Sequence, residues 1–361
     1  MKRRKFDPAK WRLPFPNKQH RENWLRAVER RHPRWIPCSV SIFPAVWVAH
    51  REALRGIVRR HPFVFGSWAK FYRGPRTVPA HHRAGAEFTD NWGCAWKVAK
   101  GGYEGQVVGH PLADWSAFEN YEFPDPLRYS ERGRRNWAGV GTLNRLAKLV
   151  GLLRTGPGDR LFDRLYFLRG FDNLMRDFAT NDPRLPRLVR RLEAHSLALT
   201  RKVLSTGVDV VAYHTDIGTQ DRLMVSPRQF RRYLKPTFRR LFQTCRGAGV
   251  HVYLSSDGHL LDIVDDLAEC GVSVHDPQER ANTLEGIAEA YAGKLCVDLD
   301  LDRQALPFEG PDDVERRVAR AVETLGSPQG GLMLKAEVAD PNVPMRNVEA
   351  LCRAFERYCV T

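Results

Sequence analysis

From residue 208 onward, short apolar runs alternate with amphipathic stretches. "VDVVAYHTD" (208–216), "VHVYLSS" (250–256), "VSVHD" (272–276), "KLCVDLD" (294–300) and "GGLMLKAE" (330–337) read as strands buried on both faces. The stretch after Ser226 and Pro227 carries Phe230, Tyr233, Leu234, Phe238, Leu241, Phe242 and Cys245 at helical spacing. Ser226 is placed to cap that helix, with Pro227 at its first position. "LLDIVDDLAEC" predicts a helix stopped by Gly271, and "TLEGIAEAYAG", "PDDVERRVARAVETLG" and "PMRNVEALCRAFERYC" predict three more.

The first half is less periodic. Residues 1–16 read as a loose basic arm, and 18–31 as an amphipathic helix ended by Pro33. "WIPCSVSIF" (35–43) predicts a strand and 45–62 a helix. Residues 63–160, rich in Gly, Pro and aromatics, predict hairpins and loops with a short strand at Gln106–Gly109. "RLYFLRGF" (164–171) reads as a strand, and the segment ending at Gly207 as a long helix. Strand–helix alternation demands a parallel sheet with helical crossovers. Adding strands near 36–42, 106–109 and 164–169 brings the tally to about eight, which closes a (β/α)8 TIM barrel. A doubly wound open sheet is the alternative, but no GxGxxG or P-loop follows any strand. The expected organisation is an N-terminal basic arm and helix (1–34), then a single barrel (35–361) with an aromatic-rich insertion around 63–160.

Composition changes this picture little. The net charge is +15, yet the cations interleave with core stripes, as in "QFRRYLKPTFRRLF". No helix-turn-helix, RNA-recognition or zinc-finger pattern accompanies them, so no nucleic-acid partner is expected. The seven cysteines show no CxxC spacing; reduced thiols in a cytoplasm fit best. No apolar run is long enough to span a bilayer and the N-terminus lacks a signal-peptide core, so no membrane partner is expected.

In a barrel, the carboxyl ends of the strands face the active site. Those ends deliver His214, Thr215 and Asp216; Ser255, Ser256 and Asp257 with His259 beyond; His275 and Asp276; Asp298 and Asp300; Lys335 and Glu337. Five consecutive strands ending in ionisable groups favour a catalytic mouth. Plainer roles compete: Asp257 as a helix cap, His275 as a hydrogen-bonded loop residue, Lys335 as an ion-pair partner. Asp298 and Asp300 are not expected to face inward together, one being a cap. "DNWGCAW" is an aromatic lid or a core patch, and Cys94 has no nearby His or Lys to activate it.

The stretches "DIGTQDRLMVSPRQFRRYLKPTFRRLFQTCRGAGVHVYLSSDGHLLDIVDDLAECGV", "HDPQE" and "GGLMLKAEVADPNVPMRNVEALCRAF" resemble the uroporphyrinogen decarboxylase (URO-D) superfamily, over roughly residues 35–358. The resemblance implies a TIM barrel and two chemistries, decarboxylation of a tetrapyrrole or methyl transfer with corrinoid proteins. The decarboxylases carry an Arg-rich N-terminal motif; here the region reads "SVSIFPAVWVAHREAL", with Arg51 alone. Arg169 and Arg222 are the substitutes that would keep decarboxylation open. Thiol methyltransferases of the other branch bind zinc through His-x-Cys and a distal Cys. Ser255, Asp257 and Glu337 stand at those positions, so zinc is not expected.

The expectation is therefore a URO-D-like methyltransferase that demethylates a small, aryl-ether-type substrate. The implied acceptor is a corrinoid (cobalamin) borne by a partner protein, with no tightly bound cofactor. Asp257, Glu337, His214, Asp216 and Lys335 are the candidate catalytic residues. Ser255, Ser256, His259, His275, Trp92, Trp96 and Arg169 are the candidate substrate-binding residues, with Tyr103 and Trp115 adding aromatic lining. Asp257 and Glu337 would be the ligands of any metal. A uroporphyrinogen-type carboxy-lyase of porphyrin metabolism and a non-catalytic ligand-binding barrel are the alternatives. The assembly state is left open, with room for a homodimer.

Overall fold

A computed structural model describes residues 18–66 and 71–360. The arm expected over residues 1–16 lies outside them. The strands are β1 (Cys38–Ile42), β2 (Glu87–Thr89), β3 (Ala95–Lys97), β4 (Gln106–Gly109), β5 (Thr155–Pro157), β6 (Val210–His214), β7 (His251–Ser255), β8 (Val274–His275), β9 (Cys296–Asp300) and β10 (Leu332–Val338). Two compact units emerge: the described part of Met1–Pro79 with Leu149–Leu152 and Asp276–Thr361, and Ala80–Lys148 with Leu153–His275.

In the first unit β10 lies between β1 and β9, all parallel, with Lys335 of β10 in register with Asp300 of β9. β10 is mostly buried, its five apolar residues interrupted only by the half-buried Lys335 and Glu337. Helices Pro311–Leu325 and Met345–Tyr358 bury Val314, Val318 and Ala321, and Val348, Leu351 and Phe355, while their charged positions face out. His61 is clamped between two carboxylates of the last helix, Nε2 to Glu349 and Nδ1 to Glu356, both at 3.0 Å. The two carboxylates outweigh the effect of burial and raise the His61 pKa.

In the second unit β5, β6, β7 and β8 pair in parallel in that order. Helix Leu185–Leu204 buries Leu188, Val189, Leu192 and Leu199, and helix Lys235–Gly247 buries Phe238, Leu241, Phe242 and Cys245. Ser226 forms the expected cap, as a reciprocal capping box with Gln229.

Where the pattern misleads, the cause is local. Residues Phe162–Arg169 are a helix, not a strand. Nearly every side chain of that segment is buried, which erases the helical period. The missing parallel strand is β5, a Thr-Gly-Pro triplet of poor strand formers. Gly156 is required there, because a Cβ would meet Val203 Cγ1 at 2.3 Å. β4 joins β2 and β3 in a small antiparallel sheet instead of the parallel set. Among the described residues the parallel strands number seven. The fold is thus α/β, and the described residues supply seven of the eight parallel strands expected of a closed (β/α)8 barrel.

Candidate active site

The first unit gathers ionisable groups at the carboxyl ends of its strands. Lys335 Nζ donates to Asp276 Oδ2 at 2.5 Å. Arg303, just beyond β9, pairs with Glu337 and stands 3.6 Å from Asp300 Oδ2. Asp300 is 2% exposed, and its Oδ1 has no hydrogen-bond partner among the described residues. The close pairs of Lys335 and Arg303 engage Asp276 and Glu337, while Asp300, and Asp298 acting on Lys335, complete a set of four carboxylates. Burial pushes the Asp300 pKa up to about 7, and the pull of Lys335 and Arg303 only partly opposes this. Burial works against the Lys335 charge, but Asp276, Asp300 and Asp298 raise its pKa above the ordinary lysine value. Asp298 and Asp300 therefore both act on Lys335. Side chains two apart on a strand share a face, which corrects the expectation that only one points inward.

In the second unit the "SSDG" turn clasps the exits of β6 and β7 together. His214 and Ser255 end these strands as register partners. Buried Ser256 accepts from the Ile217 N–H at 3.2 Å, and the Asp257 N–H donates to Asp216 Oδ1 at 3.0 Å. Gly258, at φ +92°, passes so close to the chain that a Cβ would lie 2.4 Å from Gly218 C. Asp216 in turn donates its own N–H to Asp163 Oδ1 at 2.8 Å. Thr215 Oγ1 accepts from the Phe162 N–H at 2.8 Å, fixing the start of that helix. Burial, with the Asp216 charge adding, pushes Asp163 up to about 7. Burial and Asp163 together keep the Tyr166 phenol protonated. His259 is half-buried and holds the turn by its N–H, which donates to Thr219 O at 2.7 Å, while His275 is fully buried.

Several expected roles change. Trp92 and Trp96 are core residues. Asp90 organises them, accepting from the Trp92 and Cys94 N–H groups and from Trp96 Nε1, each at 2.9 Å. Trp115 is buried too, its Nε1 donating to Asp177 at 3.1 Å. Arg169 is at a helix end, not a strand end. It is buried, with Nε donating to Asp177 Oδ2 at 2.8 Å and Nη1 to Ala113 O at 2.8 Å. Arg222 is exposed and paired with neighbouring Asp221 at 2.7 Å. Asp163 and Arg303 were not legible as site residues. One directly precedes the misread strand, and the other is three residues into the loop after β9.

Asp257 belongs to the second unit and Glu337 to the first. Among the described residues no three His, Cys, Asp or Glu side chains converge as metal ligands. Glu337 is bound by Arg303, and Ser, Asp and Glu lack the soft donors of a thiolate-activating zinc. The donor set does not fit that group.

Parallel strands with helical crossovers and ionisable strand ends define a barrel-like α/β protein. The chain belongs to the uroporphyrinogen decarboxylase (URO-D) family, whose model matches residues 162–358. Among solved structures it is similar to a methyltransferase from Methanosarcina mazei, at 17% identity and TM-score 0.63, covering 94% of this chain and 98% of that one. That likeness shows the fold. A D-psicose 3-epimerase from Clostridium cellulolyticum H10 is more distant: 12% identity, TM-score 0.38, covering 62% of this chain and 84% of that one. A dihydropteroate synthase from Xanthomonas albilineans gives 13% identity and TM-score 0.30, covering 50% and 60%. No curated protein matches the chain. Among the described residues no helix is long and apolar enough to cross a membrane.

Proposed function

We propose that this URO-D family protein is a methyl-transfer enzyme. It takes the methyl group of a small methylated substrate, an aryl methyl ether first among them, and passes it to a corrinoid borne by a partner protein. The observation that carries this reading is Asp300, a buried carboxyl beside Lys335 that holds its proton near neutrality. Breaking the methyl–oxygen bond leaves the electron pair on oxygen, and a phenolate is a poor leaving group unless it is protonated or paired with a cation. The corrinoid, as co-substrate, supplies the nucleophile that receives the methyl group. Asp300 gives its proton to the departing oxygen. Lys335 and Arg303 stabilise the carboxylate that forms, and the next turnover reloads its proton from solvent.

Decarboxylation of a ring bearing many carboxylates would call for arginines presented to the substrate. Arg169 and Arg222 are engaged elsewhere. The test is anaerobic incubation with methoxybenzoates and reduced cobalamin, following phenol release by chromatography. Phenol from the wild type and almost none from Asp300→Asn supports the proposal. No release with any acceptor, the cognate corrinoid protein included, overturns it. Coproporphyrinogen formed from uroporphyrinogen would establish the decarboxylase instead.

A further inference from the structure

Helix Trp137–Leu149 is built inside out. None of its residues is buried. Its anchor is polar: Asn144 Nδ2 donates to Thr206 O and Oγ1 at 3.3 and 3.0 Å. Trp137 fixes its start, with Nε1 donating to Leu127 O at 2.6 Å and Arg135 and Lys202 over the indole. At 3.6 residues per turn, Leu143, Leu146 and Leu149 fall on the side turned away from Asn144. They are 66%, 54% and 73% exposed. A surface helix ordinarily buries such a stripe, and contiguous exposed leucines mark a face that something covers.

Charge narrows the identity of that cover. From Arg132 to Gly158 the chain has no acidic residue; Arg132 and Arg154 pair with Glu104 and Asp209, while Arg134, Arg135, Arg145 and Lys148 have no acidic partner among the described residues. Of these, Arg145 and Lys148 lie on the helix itself and are exposed. A second copy docking about a two-fold axis would set these cations against themselves. The cover must be apolar and anionic at once. A ridge of exposed leucines, flanked by Arg145 and with Lys148 nearer the anchored side, suits acyl chains below a layer of acidic headgroups.

We propose that this helix lies on the surface of an anionic bilayer and holds the protein there peripherally. The lack of a spanning segment has no bearing on a helix that lies in the surface. The experiment is sedimentation of the full chain with phosphatidylcholine vesicles containing one quarter phosphatidylglycerol. Light scattering of the free protein and circular dichroism of each variant accompany it. The expected result is pelleting that falls on the order of tenfold or more in L143E/L146E. R145E/K148E and high salt should weaken it as well. No pelleting of the wild type, pelleting unchanged in L143E/L146E, or equal binding to pure phosphatidylcholine would each overturn the proposal. So would a dimer in solution that L143E/L146E dissolves, which would hand the face to a second copy.

Discussion

The Asp257 N–H donates to the Asp216 carboxylate at 3.0 Å, joining two strand exits that are 41 residues apart. The clasp explains a turn whose polarity looks catalytic in the sequence: Ser256 and Gly258 hold the backbone of the two strand exits together. Gly258→Ala, forced into positive φ against Gly218, should cost on the order of 3 kcal/mol in urea unfolding. Ser256→Ala, which strands the Ile217 N–H, should cost about 1–3 kcal/mol.

The proposed role of Asp300 implies a pH limit on activity. If Asp300 protonates the departing oxygen as proposed, kcat should fall as pH rises beyond its pKa of about 7. Asp300→Asn should lower kcat by roughly 10²–10⁴ and flatten the profile. A full pH–rate series distinguishes this from simple damage. A wild-type rate still climbing at pH 9 would remove Asp300 from the role of acid.

Asp163 gives a stability signature of defined sign. Its folded pKa of about 7 lies above the unfolded value of 3.8, so the folded state holds the proton more tightly. The stabilisation is complete below the unfolded value and is lost as pH rises to about 7. Asp163→Asn keeps the acceptor for the Asp216 N–H and does not ionise. The variant should match the wild type near pH 4 and exceed it at pH 8, by up to ~4 kcal/mol. Chemical denaturation at the two pH values reads the difference directly.

His61 and Glu349 pull in opposite directions. His61 has a raised pKa, so its contribution is full below 6.5 and fades as pH rises through the folded value. Glu349, held down to about 2 chiefly by its hydrogen bond from Arg60, contributes above 4.5 and loses this as pH falls toward 2. Thermal midpoints of His61→Gln should therefore lose the alkaline slope while the acid limb persists.

Lys335→Met leaves Asp276 buried beside an apolar side chain. Breaking a buried pair of this kind costs about 3–5 kcal/mol. If Lys335 also supports the departing oxygen, kcat should drop by roughly 10²–10³ at a temperature where the variant remains folded. A stability loss with unchanged kcat would confine Lys335 to structure.

The second half of the fold was legible because its strands are short apolar runs punctuated by Gly271, Gly249 and Ser226–Pro227, each with one reading. The first half was not, for physical reasons. The segment from Phe162 to Arg169 is buried all round, so no face can be told from its period. β5 is Thr-Gly-Pro, chosen for close approach to Val203 and not for strand propensity. Strand ends pointed to Lys335, Glu337 and Asp216. They could not show that Asp300 keeps one oxygen without a hydrogen bond and meets Arg303 only at 3.6 Å, because that depends on Arg303 turning to Glu337.

Arg164 is 1% exposed, stacked 4.4 Å from the Trp92 ring centroid, with Nη2 donating to Glu131 Oε2 at 2.7 Å and Nη1 standing 3.6 Å from Asp90 Oδ2. A guanidinium so placed is tolerable only when Asp90 and Glu131 are already in position. The helix that carries Arg164 and the aromatic segment that carries those acids are thus bound to a single folding event. Neither can be trimmed away, grafted elsewhere or left to assemble late without abandoning a bare cation in oil. What the sequence presents as an insertion behaves, by this one charge, as an obligatory partner of the chain around it.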